Sequence, residues 1–406
     1  MNQRTRDRLR ILTFTTLYPN AVQPNHGVFV ENRLQHLVQT ARADVHVVAP
    51  VPWFPWRAGL FGRYAALART PAHEVRRGVP IEHPRHVVIP RVGMSITPTA
   101  LFLATLPLIR QLNAANDFNL IDAHYFYPDG VAATLLGAAI RRPVVITARG
   151  TDISLIPRYS IPRHQILYAA KRAAGIVAVS EALKSAMVEL GMRSEKITVL
   201  RNGVDLTTFV PGDREVARAS LQLTGKTLLS VGHLIERKGH GLIIAALPRL
   251  KDCGLIIVGR GAERAHLEAL GRKLGVSERV RFAGEIAHKD LRRFYVAADA
   301  LVLASSREGW PNVLLEAMAC GTPVVATAIW GNPEVVSKPE AGVLAHLRTP
   351  DGIADAVESL FQQLPDRAAT RAYAEQFSWD DTSSGQLKLF EEIARRGRDS
   401  EPVERT

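Results

Sequence analysis

Short apolar runs rich in valine and isoleucine recur along this chain: "RILTFTT", "DVHVVAP", "LIDAH", "PVVITARG" and "GIVAVS", then "TLLSVGH", "GLIIVGRG", "VRFAGE", "ALVLASS" and "PVVATA". Helical patterning separates them. Unbroken apolar strands alternating with helices are the pattern of parallel sheets covered on both faces. The series predicts an α/β protein of two doubly wound domains. In such sheets ligands bind beyond the carboxyl ends of the strands, so chemistry is expected in the loops that follow strands.

A length of 406 residues is long for one compact core and agrees with two domains. The polar stretch 210–224, with Pro211 and Gly212, reads as a linker between an N-terminal domain over 1–209 and a C-terminal one over 225–375. A closing helix, about 376–396, is expected to pack back on the N-terminal domain, with 398–406 a frayed tail.

The net charge of +12 asks for an acidic partner or substrate. Nucleic acid is disfavoured, because there is no zinc-finger spacing, RNA-binding aromatic signature or long basic run. A nucleoside diphosphate or an anionic membrane surface would use the same charge. Arg57, Arg63, Arg69, Arg76, Arg77, Arg85 and Arg91 interleave with Trp53, Phe54, Trp56, Phe61 and Tyr64. That mixture suits a bilayer interface, and a solvated loop accounts for it equally well. Cys253 and Cys320 are the only cysteines, so a reducing compartment fits. "MNQRTRDRLRILTFTTLYPN" reads as a first strand rather than a signal peptide, and the apolar stretch from Ala100 to Ile109 contains Pro107 and is too short to span a bilayer. The expected location is the cytoplasm, touching the inner face of the plasma membrane.

"SSREGWPNVLLEAMACGTPVV" (305–325) reads as loop, helix, turn and strand. Pro311 suits a first helical turn, while Gly321 and Pro323 end the helix. Glu308 then lies at the helix mouth beside the backbone groups of Gly309, Trp310, Pro311 and Asn312, where the dipole favours anions or sugar oxygens. Glu316, further along, reaches another part of the same ligand. A carboxylate accepts two hydrogen bonds well, which matches vicinal hydroxyls. The plain alternative is a helix with one favourable acid and one stray surface glutamate.

In "SVGHLIERKGH" (230–240), Arg237 and Lys238 follow a strand and could neutralise a pyrophosphate; a basic surface turn is the simpler account of that segment alone. "RNGVDLTTF" (201–209) offers Asn202 in an Asn-Gly turn, and "VGRGAER" (258–264) offers Gly259 in a weak Gly-x-Gly signal. In the N-terminal half, Gly27 precedes a helix, His124 follows one strand, and Arg149, Thr151 and Asp152 follow another. Each could be structural, yet all lie at predicted strand ends.

The order "VGHLIERKG", "VGRG" and "FAGEI…LRRFYVAADALVLASSREGWPNVLLEAMACGTPVVA" resembles the family 4 glycosyltransferases, over most of residues 11 to 395 and most strongly from Arg201 to Val336. The resemblance implies the GT-B fold, two facing Rossmann-like domains with a cleft between them. It also implies a retaining, hexosyltransferase-type enzyme that uses a nucleotide-diphosphate sugar and needs no metal or other cofactor. The family's Glu-x7-Glu motif falls on Glu308 and Glu316. Glu308 would contact the donor sugar, Glu316 the ribose, and Arg237 and Lys238 the departing diphosphate. Glu308, Arg237, Lys238 and His124 are the implied catalytic residues, with Glu316, Gly309, Trp310, Pro311, Asn312, Gly27, Gly259, Arg149, Asp152 and Asn202 around the ligands. Two departures stand out: His233 replaces the arginine of a common Gly-Arg-Leu, and Arg149 in "RGTD" replaces a common histidine. Arg149 would bind charge rather than act as a base. The opening "TLYPNAVQPNHGVFVENRLQHL" looks like relatives that build exopolysaccharide or teichuronic-type cell-surface polymers, whose acceptors are lipid-linked saccharides.

Three rivals remain. A nucleotide-sugar epimerase or hydrolase of the same fold would act without an acceptor. A nicotinamide-dependent oxidoreductase would want Gly-x-Gly-x-x-Gly after the first strand, and "TTLYPNAVQPNHG" lacks it. A non-catalytic binding module would be expected to have lost at least one of Glu308, Glu316, Arg237 and Lys238.

Overall fold

The structure is a computed structural model that describes residues 8–53, 67–88 and 93–399. By contacts the chain divides into two compact units, Met1–Arg201 with Asp380–Thr406, and Asn202–Trp379.

The first unit carries β1 (Leu9–Phe14), β2 (Ala43–Val48), β3 (Val51–Pro52), β4 (His73–Arg76), β5 (Val79–Glu82), β6 (Arg85–His86), β7 (Leu120–His124), β8 (Val144–Ala148), β9 (Gly175–Ala178) and β10 (Ile197–Val199). Eight of these form one sheet in the order β10-β9-β8-β7-β1-β2-β5-β4, while β3 and β6 pair separately. The main sheet is parallel except at its edge, where β4 and β5 form an antiparallel hairpin. Arg77 and Gly78 join them with φ of 48° and 81°, and two positive values in a two-residue loop match the right-handed twist of the strands. This hairpin has no apolar run to announce it. Its residues alternate polar and apolar around Pro80, as an edge allows.

One face of this sheet packs on helix Val28–Gln39 and on helix Trp379–Asp399, which closes the chain. Val30, Leu34 and Leu37 from the first and Leu387, Phe390, Ile393 and Ala394 from the second bury against Ile11, Val47, Leu120, Val145 and Val177. The closing helix runs to Asp399, three residues past the expected end at about 396.

The second unit carries β11 (Lys226–Val231), β12 (Cys253–Val258), β13 (Val280–Gly284), β14 (Ala300–Leu303), β15 (Val324–Thr327) and β16 (Gly342–Ala345). All are parallel, in the order β13-β12-β11-β14-β15-β16. That is the doubly wound order with its reversal between β11 and β14. In the first unit the corresponding reversal lies between β1 and β7.

The stretch 210–224 is not a bare connector. Asp213 caps helix Arg214–Ser220 by accepting from the Val216 amide at 3.0 Å. Arg214 and Arg218 pair with Asp299, whose carboxylate also accepts from the Thr227 amide at the start of β11. An acidic cap followed by two arginines one turn apart gives the segment a helix and a docking point, which its polarity alone concealed.

Among the described residues no helix is long and apolar enough to cross a membrane. Phe390 is fully buried, so Phe390→Ala should destabilise the first unit by about 3–5 kcal/mol, read as a lower midpoint in denaturant unfolding.

Candidate active site

In the second unit the reversal of strand order brings the loops after β11 and β14 side by side. The Ser306 amide donates to Arg237 O at 2.8 Å, and Arg237 Nη1 donates to Arg307 O at 2.7 Å, so the two loops are tied through main-chain groups. Lys238 Nζ donates to Glu308 Oε1 at 2.6 Å, and Ser305 Oγ donates to the same oxygen at 2.6 Å. Arg237 Nη1 stands 3.7 Å from it. Burial alone would push the Glu308 carboxyl up, but Lys238, Arg237 and the two hydrogen bonds outweigh it and hold the group below the usual carboxylate range. Glu308 is therefore ionised and clamped.

Glu316 lies on helix Asn312–Ala319, which follows that loop and is apolar on nearly all sides. Its carboxylate accepts from His288 Nε2 on one oxygen and from Tyr295 Oη on the other, both at 2.8 Å. Tyr295 is fully buried; burial and the neighbouring Glu316 raise its hydroxyl far above the ordinary value, so it remains a donor. Phe209 meets both rings edge-on, with centroids at 5.1 Å from His288 and 5.8 Å from Tyr295. Sequence reasoning missed His288, Tyr295 and Ser305. His288 does follow a strand, β13, and the strand-end rule could have found it.

The residues between the two glutamates are braced. Trp310 is buried and donates Nε1–H to Asn202 O at 3.0 Å, and Asn202 Nδ2 donates to Asn312 Oδ1 at 3.2 Å. Of the four backbone groups expected to face a ligand, Pro311 has no N–H and the Asn312 amide donates to Trp310 O at 3.1 Å. Pro311 precedes the helix rather than starting it. Gly259, after β12, has φ of 146°, and a Cβ there would sit 1.9 Å from Gly232 O, so its role is the close approach of two loops.

In the first unit the expected residues meet around the ends of β7 and β8. His124 is fully buried, and its Nδ1 lies 2.6 Å from Arg149 Nη2. Arginine can only donate, so Nδ1 accepts and the ring proton sits on Nε2. Nε2 is 3.1 Å from Asp122 Oδ2 but off the hydrogen-bond axis, so that contact is electrostatic. Burial, reinforced by Arg149 and Arg33 against the opposing pull of Asp122, lowers His124 to about 4. Burial likewise lowers Arg149 to about 9, and its guanidinium lies over the Phe29 ring at 5.2 Å. Arg33, fully enclosed, donates to Gln386 Oε1 at 2.9 Å, and Gln386 Nε2 donates to Asp122 Oδ2 at 3.2 Å.

Asp152 turns inward and accepts the amides of Phe126, Arg149 and Gly150 at 2.8, 3.1 and 2.7 Å. Gly27 precedes helix Val28–Gln39 with φ of 71°, and a Cβ there would meet Leu17 O at 2.3 Å. Asp129 was not expected. It accepts from Thr16 N at 2.7 Å and from the Thr15 and Thr16 hydroxyls, and burial raises it to about 7.

Residues 213–377 match the model of glycosyl transferases group 1, and residues 26–208 match that of glycosyltransferase family 4. The chain belongs to the family 4 glycosyltransferases, of GT-B type. A relative in Bacillus subtilis (strain 168), named for teichuronic acid biosynthesis as the glycosyltransferase TuaC, is 29% identical over 343 residues, covering 81% of this chain and 84% of its own. Among solved structures, a sucrose-phosphate synthase of Thermosynechococcus elongatus superposes with a TM-score of 0.73 at 21% identity, over 97% of this chain and 98% of its own. Anabaena HepE in complex with UDP does so with 0.71 at 20% identity, over 95% and 100%. Both family models and the fold agree with the family resemblance read from the sequence.

The His124 ring should stay neutral until about pH 4. Its folded value lies below the unfolded value of about 6.5, so its stabilising contribution is complete above about pH 6.5 and is lost as pH falls toward 4. Long-range proton–nitrogen NMR of the ring should show a single Nε2–H tautomer at pH 6, and titration near 6.5 would contradict this environment.

Proposed function

We propose that this glycosyltransferase is a retaining, hexosyltransferase-type enzyme that moves a sugar from a nucleotide-diphosphate sugar to a lipid-linked saccharide in cell-surface polysaccharide synthesis. The observation that carries the reading is the pair of carboxylates at the strand-order reversal of the second unit, with two cations on Glu308 and an imidazole N–H and a phenolic O–H on Glu316. Arg237 and Lys238 neutralise charge on the leaving diphosphate, the main electrostatic task as the glycosidic bond breaks. Glu308 accepts from sugar hydroxyls and Glu316 from the ribose, through lone pairs that His288 and Tyr295 leave open. The diphosphate oxygen takes the proton of the attacking hydroxyl on the face it leaves, so no covalent enzyme intermediate forms. Arg149, held by His124, binds negative charge. No metal or other cofactor is assigned a part.

The donor class is supported by neighbours of the same fold solved with UDP and with UDP-glucose, and the polymer class by the relative named for teichuronic acid biosynthesis. Enzyme activity is expected in the cytoplasm at the inner face of the plasma membrane. Of the basic and aromatic stretch, Phe54, Trp56, Arg57, Phe61, Arg63, Tyr64 and Arg91 lie outside the described residues. Arg76 pairs with Glu31 and Arg85 donates to Leu67 O, so those two are tied inward, whereas Trp53 is exposed. Helix Ser160–Arg172 supports the membrane reading better: Ile161, Arg163, Tyr168, Lys171 and Arg172 are exposed, and no acid occurs from 153 to 180.

Thermal-shift screening against UDP, GDP, ADP and dTDP should single out one base, with the shift absent in Glu316→Ala. Lys238→Ala and Glu316→Ala should each lower kcat/KM by about a hundredfold or more. Proton NMR of the first-formed product should show the donor's anomeric configuration; inversion would overturn the mechanism. Flotation with phosphatidylglycerol vesicles at low salt should recover the protein, and no recovery would remove the membrane from the reading.

A further inference from the structure

Glu308 is held in a way that sugar recognition does not require. Lys238 Nζ, Ser305 Oγ and Arg237 Nη1 converge on the single oxygen Oε1, at 2.6, 2.6 and 3.7 Å. The pair is largely enclosed, with 9% of the Glu308 side chain and 14% of that of Lys238 exposed. Two cations facing one carboxylate leave an excess positive charge, and Arg237 also stabilises the neighbouring loop through Arg307 O.

We propose that Glu308 is a resident stand-in for the donor's diphosphate, occupying the cations until the donor arrives and then exchanging them for the sugar's hydroxyls. The proposal rests on the donor-binding reading above. Its physical basis is competition. A diphosphate carries more charge than a carboxylate and bonds a guanidinium and an ammonium at once, so it takes both cations. Two anions crowded on one poorly solvated ammonium repel each other, which drives Glu308 off.

What Glu308 meets next depends on the ligand. An intact donor supplies sugar O–H groups, and the carboxylate is satisfied. A bare diphosphate supplies none, and Glu308 becomes a buried charge without a counterion, which is costly. The same residue therefore favours the intact donor over the spent nucleotide. After transfer, the return of Glu308 to Lys238 helps expel the product. No bond is made or broken in this exchange, and only hydrogen-bond partners change.

Inorganic pyrophosphate is the probe, because it tests the cations without a base or a sugar. Isothermal titration should show Glu308→Gln binding pyrophosphate about tenfold or more tighter than the wild type, the worth of one charge-assisted hydrogen bond. Ser305→Ala, which loosens the clamp while keeping both charges, should shift affinity in the same direction by a smaller factor, and it decides the matter if Glu308→Gln does not fold. Equal or weaker binding in the variants, or no binding in any of them, would overturn the proposal. Turnover of nucleotide sugars by the wild type is measured alongside. Turnover without tightening sinks the stand-in alone, while tightening without turnover of any donor upholds the exchangeable carboxylate and sinks its assignment to a sugar donor.

Discussion

Everything at the candidate site depends on strands that all run the same way. A parallel sheet returns each strand through a crossover, so all loops that follow strands open along one edge. In the second unit the crossovers from β11 lead toward β12 and those from β14 toward β15, in opposite directions across the sheet. Only there do two such loops meet with no crossover between them. Arg237 and Lys238 sit in one and Ser305, Arg307 and Glu308 in the other, which is why residues 70 positions apart share a hydrogen bond. The first unit repeats the logic at β1 and β7, where Asp129 from one loop fastens Thr15 and Thr16 of the other.

The two units handle buried charge in different ways. At Glu308 two cations stand within 3.7 Å of one carboxylate oxygen, and the carboxyl stays ionised although it is enclosed. At His124 the surroundings contain Arg33 and Arg149, and a histidine proton would add a further positive charge on a fully buried ring. The ring accordingly remains neutral and accepts from Arg149, fixing that guanidinium against Phe29. An arginine where relatives of the family commonly carry histidine is thus matched to a histidine that serves as its acceptor. His124, read from sequence as completing the site, is seen to hold Arg149 by accepting its hydrogen bond.

Much of this was legible in the chain because burial on both faces leaves an unmistakable run of valine and isoleucine. Such runs announced β1, β2, β7, β8 and β9 and most of the second sheet. They did not announce β10 or β16, which are three and four residues long, nor the β4–β5 hairpin, whose half-exposed edge position allows Glu74, Arg76 and Pro80. Glu308, Glu316, Arg237 and Lys238 were readable as charges in or near loops after strands. Their partners were not, since Ser305 and Tyr295 look like any serine in a turn and any tyrosine on a helix. Trp310 and Asn312 were read as offering backbone groups to a ligand, and the structure adds that their side chains meet Asn202. A side chain two to four residues from a carboxylate has as much reason to brace that loop as to touch a ligand.

The two glutamates differ in what holds them, and that difference bears on how a ligand would be read. Glu316 is pinned by one N–H and one O–H, one on each oxygen, from groups packed against Phe209. A carboxylate with about four lone-pair positions keeps room for further donors after accepting two. Glu316 is consequently held in place by the protein's own donors. Glu308 is pinned by ammonium and guanidinium groups, the donors a phosphate competes for most strongly. Its availability is conditional on charge arriving beside it. In the proposed reading one carboxylate is a fixed reader and the other a contingent one, the fixed one on a buried helix and the contingent one in the loop before it.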